Sequence, residues 1–103
     1  MVKLFLSGDV MFGRGIDQIQ VYRSDPILYE HYTNTAEQYV RLAEQESGPI
    51  PRAVAPDYVW GDAIAAIDAA VPDLRIINLE TAVTTASTPE PKGINYRMEP
   101  RNA

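Results

Sequence analysis

Two acidic residues stand where a folded chain could put them to chemical use. Asp9 follows the apolar run of residues 2–7 directly, and Glu80 closes a second run, Leu74-Arg75-Ile76-Ile77-Asn78-Leu79. If both runs are strands and pair in parallel, the two carboxylates project at one C-terminal edge, where open α/β sheets take their ligands. With Asn78 and Ser7 nearby they would form an oxygen-rich group suited to a hard or borderline divalent cation. An equally available reading makes Asp9 a turn cap and Glu80 the first polar residue after a strand.

The segment between these elements holds Gly8, Gly13 and Gly15 around Arg14. It lacks the Lys-Ser/Thr of a Walker A loop, and Gln18 replaces the third glycine of a dinucleotide fingerprint, so neither nucleotide reading stands. Arg14 beside a carboxylate site can hold an anionic group through both arms of its guanidinium. An ion pair with Asp17 or a plain surface role is the competing expectation. His31 is the only histidine and there is no cysteine, so the usual zinc shell is missing and His31 reads as a helix-surface residue. Trp60 with Ile64 and Ile67, and the set Tyr29, Tyr32 and Tyr39, read as core packing. Ser7, Thr81, Thr84 and Thr85 have no base partner, which leaves a nucleophilic triad unsupported.

The elements that must position these groups follow from periodicity. Residues 2–7 form a compact apolar strand ended by Gly8. A short helix follows through Ile16 and Ile19. Ser24-Asp25-Pro26 starts a helix whose stripe is Leu28, Tyr32, Ala36, Tyr39, Val40 and Ala43, and Gly48-Pro49 ends it. Pro56-Asp57 opens another, with Val59, Trp60, Ala63, Ile64, Ile67 and Val71 on one face. Residues 74–79 form a second strand, residues 81–91 a loop rich in Thr, Ser and Pro, and residues 94–98 a short third strand. The strand–helix–helix–strand order predicts an α/β fold with a βααβ crossover and parallel strands buried on both faces. Two strands do not make a stable sheet, so the domain is expected to be incomplete.

Composition narrows the partners. The 103 residues carry nine Lys and Arg against fourteen Asp and Glu, a net charge of −5, and 46% hydrophobic residues. This fits a globular protein and disfavours nucleic acid or an anionic membrane as the main partner. No apolar run of about 18 residues is present to span a membrane. The N-terminal apolar stretch is too short for a signal peptide, and with no anchor either a cytoplasmic location is expected. Residues 92–103 carry three of the nine basic residues and end without a terminal element, a second reason to expect a piece of something larger.

Leu6-Ser7-Gly8-Asp9-Val10-Met11-Phe12-Gly13-Arg14 resembles the opening motif of the bacterial capsule synthesis protein family CapA, the poly-γ-glutamate biosynthesis family. Asn78-Leu79-Glu80-Thr81 with Val83-Thr84 resembles its second motif. Tyr58-Val59-Trp60-Gly61-Asp62 and Lys92-Gly93-Ile94-Asn95-Tyr96-Arg97 with Pro100 resemble further blocks in the right order. The resemblance implies a partial calcineurin-like metallophosphatase sandwich, with residues 1–103 as its N-terminal portion, about a third of the domain. It implies Asp9 and Glu80 as metal ligands with Asn78 in support, and a divalent ion (Mn, Zn or Mg) in the full domain. Lys92, Tyr96 and Arg97, with Arg14, are the implied contacts to an anionic polymer or small-molecule substrate. The family's Asn-Asn-His block and later histidines have no counterpart in these residues, so activity is expected of the full domain rather than of this chain alone. The alternative is a non-catalytic relative that self-associates, as a homo-oligomer, or binds anionic ligands without metal.

Overall fold

A computed structural model describes residues 1–103. The order is β1 (Leu4–Val10), α1 (Gly15–Ile19), α2 (Glu37–Ser47), a 3-10 turn (Pro56–Trp60), α3 (Ala63–Ala69), β2 (Leu74–Leu79), β3 (Ala82–Val83), β4 (Arg97–Met98) and a closing 3-10 turn (Pro100–Asn102). The class is α/β. β1 pairs with β2 in parallel across the helical crossover, and β3 pairs with β4 in parallel as a second, two-stranded sheet. No helix is long and apolar enough to cross a membrane.

The entry to the first pair is pinned from both strands. The Lys3 N–H donates to Asp73 Oδ2 at 2.7 Å, Lys3 Nζ donates to the Ala70 carbonyl at 2.7 Å, and the Asp73 N–H returns to the Lys3 carbonyl at 2.8 Å. The register runs Leu4 to Leu74 and Leu6 to Ile76, then shifts so that Asp9 faces Asn78 and Val10 faces Leu79. Three residues of β1 thus span two of β2, a bulge over Ser7 and Gly8 that re-aims Asp9 and Val10. The strand continues past Gly8, where the apolar pattern predicts its end.

The expectation of strands buried on both faces is not met. Every residue of β2 is exposed, and β1 alternates between exposed and half-buried. Leu6 is 64% and Ile76 47% accessible. A lone pair of strands has two open edges and no covering layer, so its apolar side chains face water. The overall dimensions agree. The radius of gyration is 15.3 Å, where a packed chain of this length has about 13 Å. The accessible surface is 6992 Å², against about 5,800 Å² expected for the mass.

The core lies elsewhere, between α1, α2 and the C-terminal segment. It comprises Ile19, Ala36, Val40 and Met98, and beside them the buried polar side chains Asp17, Gln18, Gln20, Thr33, Thr81, Glu99 and Asn102. Asp17 organises it. Its Oδ2 accepts the Ser24 N–H at 2.8 Å, and its Oδ1 accepts the Glu99 N–H at 2.8 Å and Asn102 Nδ2 at 3.4 Å. Asn102 also donates to the Tyr22 carbonyl. The C-terminal residues are thereby tied to the first helix.

Two helical expectations are corrected. The helix expected from Pro26 begins only at Glu37. Residues 26–36 fold back on themselves instead: the Leu28 N–H reaches the Asn34 carbonyl at 2.9 Å, the Ala36 N–H the Pro26 carbonyl at 2.7 Å, and Ile27 bridges Thr35 antiparallel. Thr33 and Thr35 hydroxyls hold neighbouring backbone groups, local bonds that compete with a helical ladder. His31 is exposed as expected, but on this loop. Tyr29 (58%) and Tyr32 (66%) are exposed and are not core. The helix expected from Pro56 divides into the 3-10 turn and α3 at Gly61, where φ is +52°. Trp60 is half-buried with its ring set edge-on against Phe12, the centroids 5.3 Å apart. The short strand expected at residues 94–98 is present as Arg97–Met98.

Candidate functional site

The metal candidates meet at one end of the β1–β2 pair. Asp9 and Asn78 are register partners, and Asn78 Nδ2 donates to Asp9 Oδ1 at 2.5 Å. The Glu80 N–H donates to the Val10 carbonyl at 2.8 Å, carrying the pairing one residue beyond β2 and fixing the backbone from which the Glu80 side chain leaves. The Phe12 N–H then donates to Thr81 Oγ1 at 3.1 Å, joining the two post-strand loops. Asp9, Asn78 and Glu80 are all exposed. Asn78, by giving its amide nitrogen to Asp9, orients that carboxylate and leaves the second oxygen Oδ2 without a hydrogen bond.

As a donor set this edge is partial. No three His, Cys, Asp or Glu side chains come together as a metal-holding group. Two carboxylates and an amide already engaged by one of them fall short of the six or more oxygens of a calcium shell or the octahedron of magnesium. These residues by themselves do not fit a complete metal centre.

The substrate candidates gather at a different place. Arg14, Lys92, Tyr96 and Arg97 all line one cavity of about 260 Å³, walled by the loop of residues 24–30 and by residues 82–97. Arg14 sits in a strained backbone conformation, φ 53° and ψ −128°, which a non-glycine residue adopts only when its surroundings impose it. The flanking glycines show how. A Cβ on Gly13 would stand 2.8 Å from the Arg97 carbonyl oxygen, and one on Gly15 would stand 3.0 Å from Tyr39 Cβ. The glycines let the loop enter between the C-terminal segment and α2 and so carry Arg14 inward.

There Arg14 pairs with Glu30, Nε to Oε1 at 2.7 Å, with the side chains 15% and 3% accessible. The Asp17 pairing considered from the sequence does not form, because backbone donors already hold that carboxylate. The Arg14 guanidinium lies over the Tyr39 ring at 5.0 Å and the Tyr96 ring at 4.6 Å. Tyr39 Oη donates its proton to Glu30 Oε2 at 2.5 Å, and at 3.2 Å it can accept from the Tyr32 hydroxyl. Burial, reinforced by the hydrogen bonds to Glu30 and Tyr32, pushes the Tyr39 phenol far above its ordinary range. For Arg14, burial disfavours the charge, but Glu30 and the surrounding tyrosines outweigh it and the guanidinium stays charged above its usual range. Arg97 donates from Nη1 to the Ala86 carbonyl at 2.6 Å and from Nη2 to the Asp25 carbonyl at 3.0 Å. It therefore carries its charge against carbonyls, with no carboxylate partner.

Sequence reasoning places Tyr39 in the core and leaves Glu30 off the apolar stripe of the expected helix. Both belong to the Arg14 cluster. The signal is hidden because the loop of residues 26–36 mimics helical spacing, and only its real path brings Glu30 to Arg14.

The Asp9 motif and the Arg14 cluster thus lie on one segment, with the Glu80 and Arg97 motifs folded against it. A family comparison agrees with that coherence. The profile of the bacterial capsule synthesis protein family PGA_cap matches residues 3–103. Probable polyglutamine synthesis accessory proteins from two strains of Mycobacterium tuberculosis, CDC 1551 / Oshkosh and H37Rv, are each 43% identical over 103 residues, covering 99% of this chain and 27% of their own length. The chain spans about a quarter of the relatives it matches. No solved structure gives a significant match. The chain belongs to the bacterial capsule synthesis protein family.

Proposed function

We propose, with that family membership as the premise, that these residues are the N-terminal part of an accessory protein for making a capsule-type polyglutamyl polymer, and that Asp9 and Glu80 contribute to a metallophosphatase-like site. The observation that carries the reading is the delivery of both carboxylates to one end of a parallel strand pair, with Asp9 aligned by Asn78 at 2.5 Å. On this reading the two carboxylates are part of a divalent-cation shell, and donors outside residues 1–103 complete it. Asn78 acts as an orienting partner of Asp9. Arg14, Lys92, Tyr96 and Arg97 contact the anionic polymer or a precursor of it.

Titration calorimetry of manganese into the full-length protein tests the metal reading. Binding is expected in the wild type and absent in Asp9→Ala, with Asn78→Ala weakened about 10–100-fold, the usual effect of losing a residue that orients a ligand. No binding, or binding indifferent to Asp9→Ala, overturns it.

A second reading, association without metal, is favoured by the bare apolar faces of β1 and β2, with Leu4, Leu6, Leu74 and Ile76 all about half or more exposed. Light scattering separates the two. A monomer that unfolds cooperatively at low concentration rules out obligate self-association.

A further inference from the structure

The Arg14 guanidinium, named above as a contact to the polymer, is already occupied by a carboxylate of its own chain. Glu30 Oε1 lies 2.7 Å from Arg14 Nε, and the two side chains are 3% and 15% accessible. The contact is short but poorly aligned. Arg14 Nε, Arg14 Nη2 and Glu30 Oε1 are all buried, and none makes a directed hydrogen bond. The pair is held by charge, without the parallel N–H···O bonds that make an arginine–carboxylate pair strong. The one directed bond to the Glu30 carboxylate comes from Tyr39 Oη, at 2.5 Å to Oε2.

Glu30 sits on a segment able to move as one piece. Residues 26–36 close on themselves: the Ala36 N–H reaches the Pro26 carbonyl at 2.7 Å, the Leu28 N–H the Asn34 carbonyl at 2.9 Å, and Ile27 bridges Thr35. A compact surface loop whose ends meet keeps its shape through its own contacts. Its tip carries Tyr29, His31 and Tyr32, all exposed. Beyond its base, its hydrogen bonds and ion pairs to the rest of the chain run through Glu30 and Tyr32, to Arg14 and Tyr39. Segments fastened by so few contacts open at low cost.

The charges around the cavity give this closed arrangement a consequence. Arg14, Lys92 and Arg97 face Asp17, Asp25, Glu30 and Glu90, three cations against four carboxylates, and Arg14 is neutralised by Glu30. With the loop in place the cavity disfavours an anion. An outward swing of residues 26–36 takes Glu30 with it, which removes one carboxylate and frees one guanidinium together. Asp17 stays held by the Ser24 and Glu99 N–H groups, and Arg97 keeps its charge against carbonyls.

We infer that residues 26–36 are an autoinhibitory flap and that Glu30 is its latch: a carboxylate of the chain itself occupies Arg14 in place of a carboxylate of the polymer until the flap swings away. What is masked rests on the polymer reading. The flap and its latch do not, and neither depends on a metal.

The test uses the full-length protein with a chelator present, as wild type, Glu30→Gln, Tyr39→Phe and Glu90→Gln. Hydrogen–deuterium exchange without polymer reads the flap. Exchange over residues 26–36 should rise in Glu30→Gln and Tyr39→Phe, while that of residues 41–47 in α2 stays as in the wild type. Titration with poly-γ-glutamate reads the mask. A closed flap lowers the apparent affinity by the fraction of molecules that are open, so Glu30→Gln should bind about tenfold more tightly than wild type and Tyr39→Phe about threefold. Glu90→Gln removes a carboxylate from the same cavity without touching the latch, and its affinity should stay within about twofold of wild type. Unchanged exchange over residues 26–36 in both latch variants overturns the flap. Latch variants that bind the polymer no more tightly than wild type, or a gain in Glu90→Gln equal to that in Glu30→Gln, overturn the mask. Faster exchange with no polymer bound by any form overturns the polymer reading and upholds the latch. Tyr39→Phe keeps the Arg14–Glu30 charge pair, so it carries the test by itself if Glu30→Gln does not fold.

Discussion

The two ends of the Asp9–Arg14 segment live in opposite environments. At the Asp9 end, a parallel strand pair is held by backbone hydrogen bonds and a few exposed side-chain contacts, with its apolar faces in water. At the Arg14 end, charged and polar side chains are buried in a dense set of mutual bonds, with few apolar residues around them. The usual arrangement of apolar inside and polar outside is inverted between the two. The comparison teaches that strand pairing in this chain is carried by main-chain geometry and the Lys3–Asp73 clamp, whereas the Arg14 region is carried by side-chain specificity.

The comparison breaks most severely at Asp17. Asp17→Ala strands the buried Glu99 N–H and the part-buried Ser24 N–H, and about 3–4 kcal/mol of destabilisation is expected in urea unfolding, from 1–3 kcal/mol per orphaned donor. Glu30→Gln leaves the Arg14 guanidinium buried without its counter-charge. Its cost should be about 3 kcal/mol, the lower end for breaking a buried pair because Arg14 keeps some solvent contact. Gly13→Ala forces a methyl group against the Arg97 carbonyl at 2.8 Å and should cost about 1–3 kcal/mol. Gly8→Ala, with nothing within 4 Å, is the control, and a thermal melt of each reads the difference.

The strand pair should respond in the opposite sense. Ile76→Thr exchanges one exposed β-branched side chain for another, and in this chain it should change stability by no more than about 0.5 kcal/mol. A large loss in the full-length protein would show that the face is covered there. The smallest effect is at alkaline pH. An unfolded tyrosine ionises near 10.0, while Tyr39 in the fold holds its proton well above that. The contribution is therefore whole below pH 10 and is lost as the pH rises through the ionisation of the folded phenol. Tyr39→Phe should flatten the alkaline limb of a stability–pH curve and leave the acid limb unchanged.

Much of the strand-end arrangement was legible in the sequence. Apolar runs closed by Asp9 and Glu80, separated by helical segments, dictate a parallel crossover with both carboxylates at one edge, because connection length and chain direction leave little choice. The bulge over Ser7 and Gly8 was not legible, and it is what brings Asp9 level with Asn78. The convergence of Arg14, Lys92, Tyr96 and Arg97 on one cavity was foreshadowed only by their lying in motifs of one family. The loop of residues 26–36 reads as helix because Leu28, Tyr32, Ala36 and Tyr39 happen to fall at helical intervals. Periodicity records which residues could share a face, not whether local Thr and Asn bonds will let the helix form.

By itself the sequence determined the α/β class, the parallel pairing of two strands, the family and the placing of Asp9 and Glu80 at the same end of that pair, since all of these come from chain order and short motifs. Only the tertiary structure decided that Arg14 pairs with Glu30 rather than Asp17, that Asp17 ties the C-terminal residues to α1, and that the β1–β2 faces stay bare. Those outcomes depend on which buried donors reach which acceptors across long separations in the chain. That competition is settled by packing and desolvation, and no local pattern encodes it.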